Sequence, residues 1–287
     1  MSEFIDAVQN REQDFPREEL DQGVHPKAYV HPDAEIGEEV TVGPFCYVEE
    51  NVRIGDRCIL KNNVNISGHT TIGEGNVFYP HTSIGSIPQD QSYRGEEGTL
   101  TIGDENIFRE SVTVNVGTRK DIGETRIGSR NMFMAYCHVA HDCIIHDDIV
   151  MANGVQLGGH ITIHSGVVFG GLAAVHHFVT IGRHAFVGGM SRLMKDVPPF
   201  MTVAGDPATI RSLNSEGLRR NGFDKSAIKQ LKEAHRKIFR SEGPRIEELD
   251  KLKNNDENSP EVEELITFLE EMRESSQGRA REVDRDF

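Results

Sequence analysis

Residues 30–66 read VHPDAEIGEEVTVGPFCYVEENVRIGDRCILKNNVNI, with a bulky apolar residue at every sixth position: Val30, Ile36, Val42, Val48, Ile54, Leu60 and Ile66. The column continues through Ile72, Phe78 and Ile84 and resumes at Ile102, Phe108 and Val114. It then shifts phase by one residue and runs from Ile127 through Phe133, Val139, Ile145, Met151, Leu157, Ile163, Phe169, Val175, Ile181 and Val187 to Leu193. A period of six is neither the alternation of an ordinary strand nor the 3.6 of a helix. Repetition at a hexapeptide period is the signature of a parallel β-helix, in which each repeat supplies one short strand and one corner.

A second column sits two residues before the first and is mostly small: Ala28, Ala34, Val40, Cys46, Val52, Cys58, Val64, Thr70, Asn76 and Thr82. Both columns must point into a narrow prism. With three faces per turn a coil takes three hexapeptides, coils stack about 4.8 Å apart, and residues eighteen apart in an unbroken run lie above one another. Glycine often follows the apolar position, as in Gly37, Gly55, Gly73, Gly103, Gly128 and Gly182. The expectation is that these glycines supply positive φ at corners.

The composition agrees with a prism filled by aliphatics: there is no tryptophan and only 7% aromatic residues. A formal charge of -15 argues against a nucleic-acid partner, since such affinity comes from neutralising phosphates. No apolar run approaches the length of a membrane span, and residues 1–24 lack the apolar core of a signal peptide, so a cytoplasmic protein is expected. Cys46, Cys58, Cys137 and Cys143 all fall in the small inward column, where a free cysteine acts as a small hydrophobe rather than a metal ligand or half of a disulfide.

The chain divides into a polar extension (1–24), a mainly β hexapeptide-repeat β-helix (25–206), a C-terminal α-helical domain (207–275) and a polar tail (276–287). The repeat is interrupted at 85–101 and 115–126, and loops leaving a solenoid often carry function. Helical periodicity places apolar Ile228, Leu231, Ala234, Ile238 and Phe239 on one face of 226–241, and Val262, Leu265, Ile266 and Leu269 on one face of 260–273. Asp224 and Ser259 stand at N-cap positions, the latter followed by Pro260. Such a helical domain would cover the open end of the solenoid.

Seven of the thirteen histidines lie between residues 138 and 177. By the eighteen-residue rule His141, Gly159 and His177 share one column, and Asp142 and His160 the adjacent one. An imidazole beside a backbone amide suits acyl transfer, with a base for a hydroxyl proton and an N–H for the oxyanion. Two other readings fit the same spacing: outward histidines tolerated on a β-helix, and a zinc site built from His141, His160 and His176 or His177.

The ordered motifs H-V-A-H-D-C (138–143), G-G-H (158–160), A-V-H (174–176), D-V-P-P (196–199) and N-x-E-G-L-x-R (214–220) occur with R-E-S-V-T (109–113) and Gln89-Asp90. Together the set resembles the bacterial UDP-N-acetylglucosamine O-acyltransferases that begin lipid A synthesis, within the hexapeptide-repeat acyltransferases. The resemblance implies a left-handed β-helix, a homotrimer with sites between subunits, and transfer of a 3-hydroxyacyl chain from acyl carrier protein to the sugar 3-hydroxyl, with no cofactor or metal. By position, His141 is then the general base, Asp142 its orienting partner and Gly159 the oxyanion donor. His138, His160, His176 and His177 line the pocket, and Gln89 and Asp90 belong to a substrate loop. Asn214, Glu216 and Arg220 lie toward the nucleotide, and a side chain at Gly189 would shorten the acyl channel.

Three positions depart from the family pattern. Ser92 replaces a lysine, Asn221 an arginine and His177 a glutamine, so two cations that would hold a diphosphate are missing, and Arg94 or Arg219 is expected to substitute. Arg192, Lys195, Arg211, Arg219 and Arg220 are expected to form a basic surface for an acidic carrier protein. The alternatives are the related N-acyltransferase, which carries an additional N-terminal domain for which residues 1–24 are too short, and a non-catalytic trimeric scaffold.

Overall fold

The computed structural model describes residues 23–119, 121–241 and 245–273, so most of the polar extension and the whole polar tail lie outside the described residues. The chain falls into two compact units, residues 1–160 and 161–287.

In the first unit the strands are mostly two residues long and form the three faces of a left-handed parallel β-helix. The stacking rule holds: Thr41 pairs with Ile59 and Ile59 with Val77, each eighteen residues on. From Val42 on the sixth-residue column is buried, Val48, Leu60, Ile66, Phe78 and Ile84 having no accessible surface, while Val30 and Ile36 at the start are half-buried. The chain enters this stack earlier than expected, because Gly23-Val24 already pairs with Thr41-Val42. The small column is buried from Val40 on, including all four cysteines, each a free thiol. Where that column carries Asn76, Asn106 and Asn131, each asparagine's Oδ1 accepts the main-chain N–H of the residue above, the last bond reaching Ile149. Beside this ladder Phe78, Phe108 and Phe133 stack with centroids 4.9 and 4.8 Å apart.

The post-strand glycines are not at positive φ. The left-handed residues are the ones next to the small column: Glu39, Arg57, Glu105, Arg130 and Asp148 on one corner, Phe45, Asn63, His81, Ser111 and Tyr136 on a second. The glycines are instead required by contact, since a Cβ on Gly55 would lie 2.7 Å from the backbone of Gly73, and one on Gly128 2.9 Å from that of His146. The first corner is charged, with Arg130 paired to Asp148 and Arg57 to Glu74. The second exposes Phe45 and Tyr136. Both insertions leave at the third corner, between strands Ser83–Ser86 and Thr99–Ile102 and between Thr113–Asn115 and Glu124–Ile127. Since the ends of both expected interruptions are paired strand, the loops proper are 87–98 and 116–123.

In the second unit the same three-faced stacking ends in a feature the periodicity did not predict. Strand Met201–Gly205 pairs antiparallel with Ala208–Leu213, turning through a cis Asp206–Pro207 peptide, so residues 208–213 are strand rather than the start of a helical domain. Helices follow at α1 (Ser215–Arg220), α2 (Lys225–Arg240), α3 (Arg245–Lys253) and α4 (Pro260–Arg273). The two predicted helices are α2 and α4. Asp224 caps α2 by accepting the Ser226 N–H. Ser259 serves α4 only through its carbonyl, which accepts from Val262 and Glu263; its buried Oγ has no partner among the described residues. Leu218, Leu231, Ala234, Ile238, Leu265 and Ile266 share one core with Phe200, Met201 and Leu213, and Arg183 holds Glu264 through Nε and Nη2. The boundary expected at residue 206 therefore lies inside a unit whose helices and last strands pack together.

Candidate active site

The third corner of the first unit carries the candidate site. After strand His138–Val139 the chain turns through Asp142 at φ 58°, which swings its carboxylate under loop 116–123. The Asp142 N–H donates to Thr125 Oγ1 at 2.9 Å. Its carboxylate accepts from Thr118 N (3.1 Å), Thr118 Oγ1 (2.7 Å), Gly123 N (3.2 Å) and His141 Nδ1 (2.8 Å). The side chain has no exposure, and a buried carboxylate is tolerable because its lone pairs are met in this way. Donation from Nδ1 makes Nε2 the lone-pair nitrogen of a neutral His141.

The next coil comes close to this ring. His160 N donates to His141 O at 3.0 Å, and an ideal Cβ on Gly159 would lie 2.7 Å from His141 Cε1 and 3.0 Å from Nε2. Only glycine lets the backbone approach the imidazole so closely. The rings of His141 and His160 stand edge to face, 4.9 Å apart at 86°, and Asp121 Oδ2 is 2.7 Å from His160 Nδ1. His138 Nδ1 is 2.7 Å from Thr113 Oγ1; burial, and then the neighbouring His141, push its pKa below the ordinary histidine value.

His138, His141, Asp142, Gly159 and His160 are thus brought together. Thr113, Thr118, Asp121 and Thr125 are site residues that the sequence reasoning missed, although three of them lie in the expected interruption 115–126. In loop 87–98 Gln89 is exposed, while Asp90 accepts from Ser92 N (2.8 Å) and Ser92 Oγ (2.5 Å). Ser92 therefore shapes the loop instead of leaving a gap where a lysine would be. Arg94 is engaged within the loop, its Nη1 donating to the carbonyls of Gln91 and Tyr93.

The remaining predicted residues belong to the second unit. The His176 and His177 rings lie 3.8 Å apart, and a Cβ on Gly189 would meet Gly171 O at 3.2 Å. Asn214 caps α1, accepting from Gly217 N while Nδ2 donates to His184 O. Glu216 bonds Arg219 at 2.7 Å and Arg220 at 2.9 Å, and these guanidiniums hold its carboxyl below the usual range. Arg192 likewise pairs with Asp206, and Arg211 Nε donates to Ala204 O. Two carboxylates, Glu216 and Asp206, thus offset part of the expected basic surface.

His141, Asp142 and His160 place three ligand-capable atoms within 4.8 Å of one another. A cation there would have to displace the donors already on Asp142, so the set is built for hydrogen bonding and suits a metal poorly. No helix among the described residues is long and apolar enough to cross a membrane.

Residues 196–279 match the family described as UDP N-acetylglucosamine O-acyltransferase, domain 2, and residues 33–68 match the bacterial transferase hexapeptide repeat. The chain is 48% identical to the acyl-[acyl-carrier-protein]–UDP-N-acetylglucosamine O-acyltransferase of Halorhodospira halophila, over 86% of this chain and 96% of that one. It is 42% identical to the enzyme of the same name from Janthinobacterium, over 88% and 97%. Among solved structures, the UDP-N-acetylglucosamine O-acyltransferase of Moraxella catarrhalis matches with TM-score 0.84 at 42% identity, over 89% and 98%. The corresponding acyltransferase of Bacteroides fragilis matches with TM-score 0.84 at 37%, over 86% and 97%.

Proposed function

Since the chain belongs to the acyl-[acyl-carrier-protein]–UDP-N-acetylglucosamine O-acyltransferase family, we propose that it moves a 3-hydroxyacyl chain from acyl carrier protein to the 3-hydroxyl of UDP-N-acetylglucosamine, the opening step of lipid A synthesis. The observation that carries this reading is His141, bonded through Nδ1 to a buried Asp142 and packed against the backbone of Gly159. His141 Nε2 takes the hydroxyl proton as the sugar oxygen attacks the thioester carbonyl. The oxyanion that forms is met by the Gly159 N–H. Collapse breaks the carbon–sulfur bond, and the imidazolium returns its proton to the departing carrier thiolate. Asp142 stabilises the imidazolium throughout, as an orienting carboxylate does in a catalytic triad.

His138, His160, His176 and His177 contact substrate in this reading, with Gln89 and Asp90 from the loop. Asn214, Glu216 and Arg220 meet the nucleotide, Arg220 exchanging Glu216 for phosphate, and Gly189 leaves room for the acyl chain. The protein acts as a cytoplasmic homotrimer. Exposed Phe45 and Tyr136 on one corner of the first unit, and Leu172 and Met190 in the second, give it apolar surface for subunits to cover. Mass spectrometry of products from UDP-N-acetylglucosamine and a panel of 3-hydroxyacyl carrier proteins tests the reaction. An O-linked 3-hydroxyacyl product that is absent with His141→Ala is expected, and no product from any donor would overturn it.

A further inference from the structure

The loop that clamps Asp142 carries a second carboxylate with the same construction. Asp121 Oδ2 lies 2.7 Å from His160 Nδ1, as Asp142 Oδ2 lies 2.8 Å from His141 Nδ1. Both pairs are mostly shielded: 15% of the Asp121 side chain and 10% of that of His160 are accessible, so the contact is not a solvated surface pair of small effect. Asp121 is held by its own loop, its N–H donating to Thr118 O, and Thr118 is a donor to Asp142. One short turn therefore orients two imidazoles.

The distances give Asp121 a definite task. His160 Nδ1 is also 3.9 Å from Asp142 Oδ2, so without Asp121 the nearest carboxylate to His160 among the described residues is the one that orients His141. Two imidazoles would then compete for one acceptor. We propose that Asp121 is a positioning residue for His160, drawing its Nδ1–H away from Asp142 and fixing the tautomer in which Nε2 is the acceptor nitrogen. Resting on the acyl-transfer reading, the donor that Nε2 receives is an acceptor-sugar hydroxyl adjacent to the one His141 deprotonates. With ring centres only 4.9 Å apart, two lone-pair nitrogens suit the two neighbouring O–H groups of a sugar ring.

The test compares Asp121→Ala, Asp121→Asn and Asp121→Glu in the intact protein. Nitrogen-15 spectra of histidine-labelled protein, with the His160 signals assigned by His160→Gln, are expected to report the Nδ1–H tautomer in the parent. Asp121→Asn, which keeps the shape and guards against misfolding, should shift His160 toward the Nε2–H form, and Asp121→Glu should restore the parent pattern. In kinetics, Asp121→Ala is expected to raise KM for UDP-N-acetylglucosamine about 3- to 10-fold, the range for one neutral hydrogen bond, while KM for the acyl donor stays put and kcat falls less than KM rises. Preference for the sugar over its 4-deoxy analogue should shrink by a similar factor. An unchanged tautomer in Asp121→Asn, or a loss confined to kcat with both KM values intact, overturns the proposal. If the parent transfers no acyl group at all, the functional reading fails, and the tautomer comparison still decides whether Asp121 orients His160.

Discussion

At Gly159 one hydrogen atom in place of a methyl group decides whether the imidazole beside it can keep its position. Gly159→Ala would put a Cβ 2.7 Å from His141 Cε1, displacing the ring from the amide proposed to act with it. We expect kcat to fall on the order of 10²-fold or more, and His141→Ala to lose roughly 10² to 10⁴, the usual span for a positioned acid-base group. Circular dichroism and light scattering on both variants should show an intact fold, and near-parental turnover in either would remove His141 as base. His138 gives a sign for stability against pH. Its folded pKa lies below the ordinary value, so the unfolded chain takes up a proton first as pH falls below about 6.5. Stability contributed by His138 is then present above that pH and lost as the pH drops through the folded value. Melting temperature should accordingly decline from pH 7.5 to 5, and His138→Gln should flatten that decline. Cys58 and Cys137 are pushed up to about 11 by burial, so a thiol reagent at pH 8 should modify them only after unfolding.

Among the elements, loop 116–123 matters most, because it turns a solvated corner into a buried carboxylate. Thr118→Val keeps the backbone donor but removes Oγ1 from Asp142, leaving a buried acceptor short of one partner at a cost of about 1 to 3 kcal/mol. A lowered melting temperature together with reduced kcat is expected, and a change in neither would show that the loop merely covers the site. In loop 87–98 Ser92→Lys would give up both its hydroxyl's bond to Asp90 and the turn it shapes. Calorimetry should therefore find UDP-N-acetylglucosamine bound no more tightly, and a clearly lower Kd would mean that the new charge outweighs the lost turn. The β-helix was legible because its period is written in side chains that all meet one narrow core. So were α2 and α4, from amphipathic spacing, and the stacking of His141 with Gly159, from the coil length. The hairpin at Ala208–Leu213 was not, since it follows no hexapeptide and is half exposed. Nor was Asp121, whose partner lies 39 residues away across a loop whose path no periodicity fixes. The glycines were found for the wrong reason: sequence marks a need for glycine without telling tight contact from positive φ.

For the molecule as a whole, the apolar corner predicts assembly. Phe45→Glu with Tyr136→Glu places charges on side chains that are 60% and 67% exposed in the single chain, where they cost a monomer little and a covered interface much. If the protein is the proposed trimer, light scattering should show a parent of trimer mass replaced by smaller species, and an unchanged mass would move the interface elsewhere. A solenoid of near-identical hexapeptides has one further problem, which is threading ambiguity: a coil that slides by one repeat still presents aliphatics to the core, so burial alone hardly distinguishes right from wrong. Asn76, Asn106 and Asn131 remove that degeneracy. Asn76 Oδ1 and Asn106 Oδ1 find their main-chain N–H donors, and Asn106 Nδ2 its bond to Asn76 Oδ1, only when the asparagine coils sit directly on one another, and any slip buries an amide against hydrocarbon. The ladder occupies the stretch where two inserted loops interrupt the eighteen-residue count, the place where counting by repeats fails. Its polar groups thus act as alignment marks, fixing which coil lies under His141 before any substrate arrives.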